Sequence, residues 1–179
     1  MNDDGRTQAA HVIVTEGTRR ALTVATAESL TAGWIAAAIA DVPGASAVLR
    51  GGVVAYHNRV KQDVLGVDAD LLAEKGSVDP DVARQMAEGA RRVCGADLAV
   101  SSTGVAGPQA HDGKDVGTVY IGYAFAGGSG SLELHLAGGR QEIRAGARDA
   151  ALERLGALLA GNAASTRAPE CWQGGPRYD

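Results

Sequence analysis

Aromatic side chains make up only 4% of the 179 residues, with a single Phe among them. A core built from this chain is therefore aliphatic. The 25 glycines imply close approach of backbone to backbone, or of backbone to a ligand. Only two cysteines are present, Cys94 and Cys171. They are too few for a disulfide framework and lack the C-x-x-C or His-rich spacing of a zinc site. No apolar run reaches membrane-spanning length, and the acidic, polar start MNDDGRTQAA is unlike a signal peptide. Positive charge does not dominate: 17 Lys and Arg stand against 21 Asp and Glu. The basic residues are scattered, so nucleic acid has no electrostatic footprint to bind. What remains is one soluble domain, long enough to bury a sizeable core. It is expected in the cytoplasm, with neither nucleic acid nor membrane as partner.

The apolar pattern alternates between helix and buried strand. Residues 8–20 read as an amphipathic helix, and LTVATAE after them as a short covered strand. A helix over 31–41 is stopped by VPGAS, and GGVVAYH over 51–57 is a second strand. Two short helices follow, the second with Asp68 or Asp70 near its start. SVDPDVARQMAEGARRVCG predicts a strong helix: Pro80 lies in its first turn, Gly95 at its stop, and Val82, Met86, Ala90 and Val93 on one face. ADLAVSSTGVAGP is a strand entering a Gly-rich loop, and GTVYIGYAFAGG and GSLELHLAGG pair through AGGSG as a hairpin. A last helix runs from Arg140 to about Leu159, with Ile143, Ala147, Ala151, Leu155 and Leu158 on one side. The expected fold is a three-layer α/β/α sandwich around a mixed, mostly parallel sheet of about five strands. Residues 1–160 form the single domain, and 161–179 a loosely ordered tail.

Three polar clusters stand where such a fold binds ligands. Glu28-Ser29-Leu30-Thr31-Ala32-Gly33 and Ser101-Ser102-Thr103-Gly104-Val105-Ala106-Gly107-Pro108 follow strands; GGRQEIR opens the last helix with Arg140 and Arg144. Open α/β sheets place ligands outside the carboxyl ends of their strands, so the first two clusters face one crevice. Gly-rich backbone can approach a phosphate, and an Arg can hold it bidentately. Ser29 and Thr31 fit helix caps, and they equally fit a nucleophile set at a helix start. Tyr56 and Lys61 in VAYHNRVK are an ordinary strand residue and a solvated lysine on one reading. On the other, Lys61 is a base whose pKa burial has lowered. His57 points opposite to Tyr56 by strand alternation, and neither G-x-S-x-G nor S-x-x-K is present.

Taken in order, TAESLTAGWIA, GGVVAYHNRVKQDVLGV, LAVSSTGVAGP, VGTVYIGYA and GGRQEIR resemble the CinA C-terminal domain family, from about residue 8 to 160. Stand-alone members of that family, of the PncC type, deamidate nicotinamide mononucleotide. The resemblance implies a Ser29 nucleophile assisted by Tyr56 and Lys61. It also implies oxyanion donors around Thr31, Ala32 and Gly33, and a phosphate held among Thr103, Gly104 and Arg140. Glu28 is grouped with the substrate-binding residues, as an acceptor for backbone donors or without a chemical part. The implied partner is a pyridine nucleotide, in a homo-oligomer. No metal or cofactor is implied, since the pyrophosphatase domain of longer members is not in this sequence. Leu30 and Ala32 stand where relatives commonly carry Cys and Gly, QAHDGKDVGTV replaces a Gly-rich segment, and Gly139 replaces the Asp before Arg140. These departures keep a second reading open, a nucleotide-binding module of the same fold with weak turnover or none.

Overall fold

The computed structural model describes residues 3–161. The tail expected over 161–179, apart from Gly161, lies outside the described residues, and Cys171 with it. In chain order the elements are α1 (Asp3–Arg20), β1 (Val24–Glu28), α2 (Trp34–Ala40), β2 (Leu49–Val54), α3 (Asn58–Asp63), α4 (Ala69–Lys75), α5 (Pro80–Val93), β3 (Leu98–Gly104), β4 (Thr118–Phe125), β5 (Gly128–His135) and α6 (Arg140–Ala160). The five strands form one sheet in the order β2-β1-β3-β4-β5. β1 is parallel to both β2 and β3, and the two remaining pairings are antiparallel. Four strands thus point one way and β4 alone is reversed. Among the described residues no helix is long and apolar enough to cross a membrane.

Strand alternation sorts the two cores. Val24, Leu98 and Val100 face one side, where Ile13, Ile35, Ile39, Ile143, Leu152 and Leu155 of α1, α2 and α6 cover them. Ala25, Ala27 and Ala99 face the other side, under Val82, Met86 and Ala90 of α5. The alanine face lets α5 lie almost on the sheet. A Cβ at Gly122 would come 2.0 Å from the Ala83 carbonyl, and Ser101 Oγ donates to that carbonyl at 2.6 Å. This is the close backbone approach that the glycine and alanine content required.

Local signals explain most boundaries. Asp79 accepts from the N–H groups of Asp81 and Val82 with Pro80 behind it, so α5 starts there. Asp68 caps α4 in the same way. Val93 leaves the predicted face of α5 and is 49% exposed; on α6 the stripe runs through Leu152 and Leu159, with Leu158 at its margin. The β4–β5 hairpin is tighter than expected, since only Ala126 and Gly127 separate its strands. The largest departure is α2, which begins at Trp34 rather than at residue 31. Ala32 (φ 50°) and Gly33 (φ 97°) are left-handed, so residues 29–33 form a turn before the helix.

Candidate active site

β1, β2 and β3 end together, and the chain leaves β1 toward β2 on one side, then returns to β3 on the other. That is the topological switch point, where open sheets leave a crevice. A cavity of about 580 Å³ opens there, lined by Ser29, Leu30, Tyr56, Thr103, Gly107 and Arg140 among others. Its size suits a small-molecule site.

Ser29 lies one residue past β1, locked in the ladder by its N–H to the Ser102 carbonyl at 2.9 Å. Its side chain does not cap α2. Glu28 does so instead, with a carboxylate 1% exposed. One oxygen accepts from the N–H groups of Gly33 (2.8 Å) and Ile35 (3.0 Å), the other from Ala36 N–H (2.9 Å) and Thr26 Oγ1 (3.1 Å). With four donors satisfied and α2's partial positive charge beside it, this carboxylate has no acceptor left for a substrate. Ser29 Oγ is thereby left to Lys61, whose Nζ lies 3.2 Å away.

Lys61 sits in α3, whose start is capped by His57 through Nδ1; this fixes His57 as a capping residue. The lysine is 1% exposed. Its Nζ donates to the carbonyls of Ala55 (2.9 Å) and Tyr56 (3.5 Å) beside Ser29 Oγ. Burial lowers its pKa from 10.5 to about 8, against the pull of the Asp112 carboxylate. The two carbonyls can engage two N–H bonds. In the neutral amine the lone pair is then left for the Ser29 hydroxyl.

Other expected residues have different tasks. The Tyr56 hydroxyl does not reach Lys61; it accepts from Arg140 Nη2 at 3.0 Å, while Arg140 Nη1 donates to the Gly107 carbonyl at 2.8 Å. With Gly139 in place of an acidic neighbour, these two acceptors hold Arg140 at the cavity mouth. Thr31 Oγ1 pairs with Ser102 Oγ at 2.6 Å, and Thr103 Oγ1 donates to the Ser77 carbonyl at 2.7 Å. Both threonines are buried and tie strand ends together. Gly104 lines the cavity, and its N-terminal neighbours hold it in β3. Ala32 N–H donates to the Ser29 carbonyl and Gly33 N–H to Glu28, so neither is available as an oxyanion donor. Among the described residues the N–H groups of Leu30, Ala106 and Gly107, all on cavity-lining residues, have no protein partner. The Leu30 amide, next to Ser29, is not marked by the sequence; no side-chain pattern signals a backbone donor.

The 109–114 loop closes one wall. Asp112 accepts from Ser77 N–H (2.6 Å) and Ser77 Oγ (3.0 Å). Burial would raise this carboxyl's pKa, but the Ser77 bonds prevail and hold it below the ordinary value. Among the described residues no three His, Cys, Asp or Glu side chains gather as metal ligands.

Comparison with known proteins identifies the family and the fold. The sequence model of the CinA C-terminal domain family matches residues 6–159. A CinA-like protein of Frankia casuarinae is 46% identical over 143 residues, which is 80% of this chain and 33% of that protein. A CinA-like protein of Geobacter sulfurreducens is 51% identical over 126 residues, 70% of this chain and 30% of that protein. The chain thus spans about a third of these curated relatives. Among solved structures, the competence/damage inducible protein CihA from Agrobacterium tumefaciens superposes with a TM-score of 0.83 at 39% identity, covering 86% of this chain and 95% of that one. A CinA superfamily protein from Klebsiella pneumoniae gives 0.82 at 30% identity, covering 87% and 98%.

Proposed function

Since the chain belongs to the CinA C-terminal domain family, we propose that it is an amidohydrolase that converts nicotinamide mononucleotide to nicotinate mononucleotide and ammonia. The observation that carries this reading is the buried Lys61 amine 3.2 Å from Ser29 Oγ at a 580 Å³ cavity. A module that only binds nucleotide has no use for a desolvated lysine against a serine, whereas an acyl-transfer enzyme needs that pair.

With a pKa of about 8, Lys61 is neutral in about a tenth of molecules at pH 7. In that form it takes the Ser29 proton as Oγ bonds to the carboxamide carbon. The carbonyl π pair moves onto oxygen, and the Leu30 N–H receives the oxyanion, a contact worth about 3–4 kcal/mol in well-built sites. The intermediate collapses with cleavage of the C–N bond, and protonated Lys61 returns its proton to the departing ammonia. Water then adds to the acyl carbon with Lys61 again as base, releasing the carboxylate and restoring Ser29. The substrate phosphate lies against Arg140 and the free amides of Ala106 and Gly107, with Tyr56 holding the guanidinium in place. The test is ammonia release from nicotinamide mononucleotide, free nicotinamide and the dinucleotide. The mononucleotide should be preferred, and free nicotinamide, which lacks both ribose and phosphate, should be turned over far less efficiently; no ammonia from any of the three would refute the reading.

A further inference from the structure

We propose that Arg144 is a positioning residue for oxyanion stabilisation, acting on the Leu30 N–H through two peptide units in series; this rests on the Ser29 reading above. Arg144 projects from α6 onto the turn after β1. Its Nε donates to the Leu30 carbonyl at 2.8 Å and its Nη2 to the Thr31 carbonyl at 3.2 Å. The guanidinium carbon lies over the Trp34 ring, 3.9 Å from its centroid.

The Thr31 carbonyl shares its peptide with the Ala32 N–H, which donates to the Ser29 carbonyl at 3.2 Å. The Ser29 carbonyl in turn shares its peptide with the Leu30 N–H. Both peptides are trans, so each carries its carbonyl and N–H on opposite sides. A full positive charge therefore stands at the head of a chain of aligned dipoles whose free end is the Leu30 N–H. Aligned hydrogen bonds polarise one another and strengthen the terminal donor. The second prong, on the Leu30 carbonyl, fixes the other side of the same residue. The Thr31 carbonyl also accepts from the Trp34 N–H at 3.2 Å, so the guanidinium adds a charged donor to a turn already tied to Glu28 and Ser102.

The test measures the rate at which a fluorophosphonate labels Ser29, where Oγ displaces fluoride at phosphorus and Lys61 takes the proton. That reaction needs the oxyanion donor and does not depend on the identity of the natural substrate. Arg144→Ala should label about ten-fold more slowly or worse, and millimolar methylguanidinium should restore part of the rate; a tether that merely stabilised α6 would show no such rescue. In the deamidation assay kcat should fall while KM changes little. Should Arg144→Ala not fold, Arg144→Lys, which keeps the charge but not the two-pronged bond, replaces it under the same threshold. Folded variants labelled at near the wild-type rate would overturn the proposal. Wild-type protein that labels at Ser29 yet releases no ammonia from the mononucleotide would overturn the substrate assignment alone.

Discussion

Replacing Lys61 by Met should stabilise the folded protein near neutral pH while removing its activity. The lysine is 1% exposed, and burial brings its pKa from 10.5 to about 8. At about 1.4 kcal/mol per pH unit, this buried charge lowers stability by about 3 kcal/mol below pH 8, where folded and unfolded chains both hold the proton. Met gives up the bonds to the Ala55 and Tyr56 carbonyls, a loss of about 1–3 kcal/mol. The net gain near pH 7 is then about 1 kcal/mol, which raises Tm by about 2–4 °C for a chain of this size. The pH dependence is the sharper signature. Because the folded pKa is the lower one, the folded protein releases the Lys61 proton first as pH rises from about 8 to 10.5. Wild-type stability therefore climbs by about 3 kcal/mol relative to the Met variant across that window. Urea melts stepped through this range, with unchanged m-values, measure the difference. A difference constant with pH would mean that Lys61 titrates like a free lysine, and the base assignment would fail.

Glu28→Gln should lower stability by about 1–3 kcal/mol, because one of the two oxygens that receive backbone N–H groups becomes an amide donor; chemical melts read it, and an unchanged midpoint would contradict the capping role. Ala32→Gly should raise stability by up to about 1 kcal/mol, since the residue is held at φ 50° and glycine removes a Cβ penalty larger than its entropy cost. A lower Tm would show that the turn tolerates Ala without strain. Arg140→Ala should raise KM for the nucleotide far more than it lowers kcat, because a phosphate remote from the amide is held alike in ground and transition states. An unchanged KM would place the phosphate elsewhere.

Sequence patterns were most legible where a local cause sets the structure. Asp79-Pro80 announces α5, glycines bracket the strands, and the switch from helical spacing to short continuous apolar runs marks the central strands. The Ser29–Lys61 pair is implied by the family resemblance, although 32 residues separate its members. Residues 31–33, expected as the start of α2, belong to the turn before it; a left-handed Ala leaves no trace in composition. The cap was sought in Ser29 and Thr31, the residue types that usually supply it; the carboxylate that does so reaches back from the strand end. The family resemblance implies that Tyr56 assists the nucleophile; its hydroxyl meets Arg140, 84 positions away. Carbonyls of Ala55 and Tyr56 and the amide of Leu30 are backbone groups whose roles arise only when three strand ends converge.

The central claim is that Ser29 forms a covalent acyl intermediate with the nucleotide amide. Mass spectrometry of protein quenched in acid during turnover with nicotinamide mononucleotide tests it directly. The account predicts an adduct equal to the substrate less ammonia, on the peptide that contains Ser29, and neither adduct nor ammonia from a folded Ser29→Ala variant. Steady ammonia release by Ser29→Ala would contradict it.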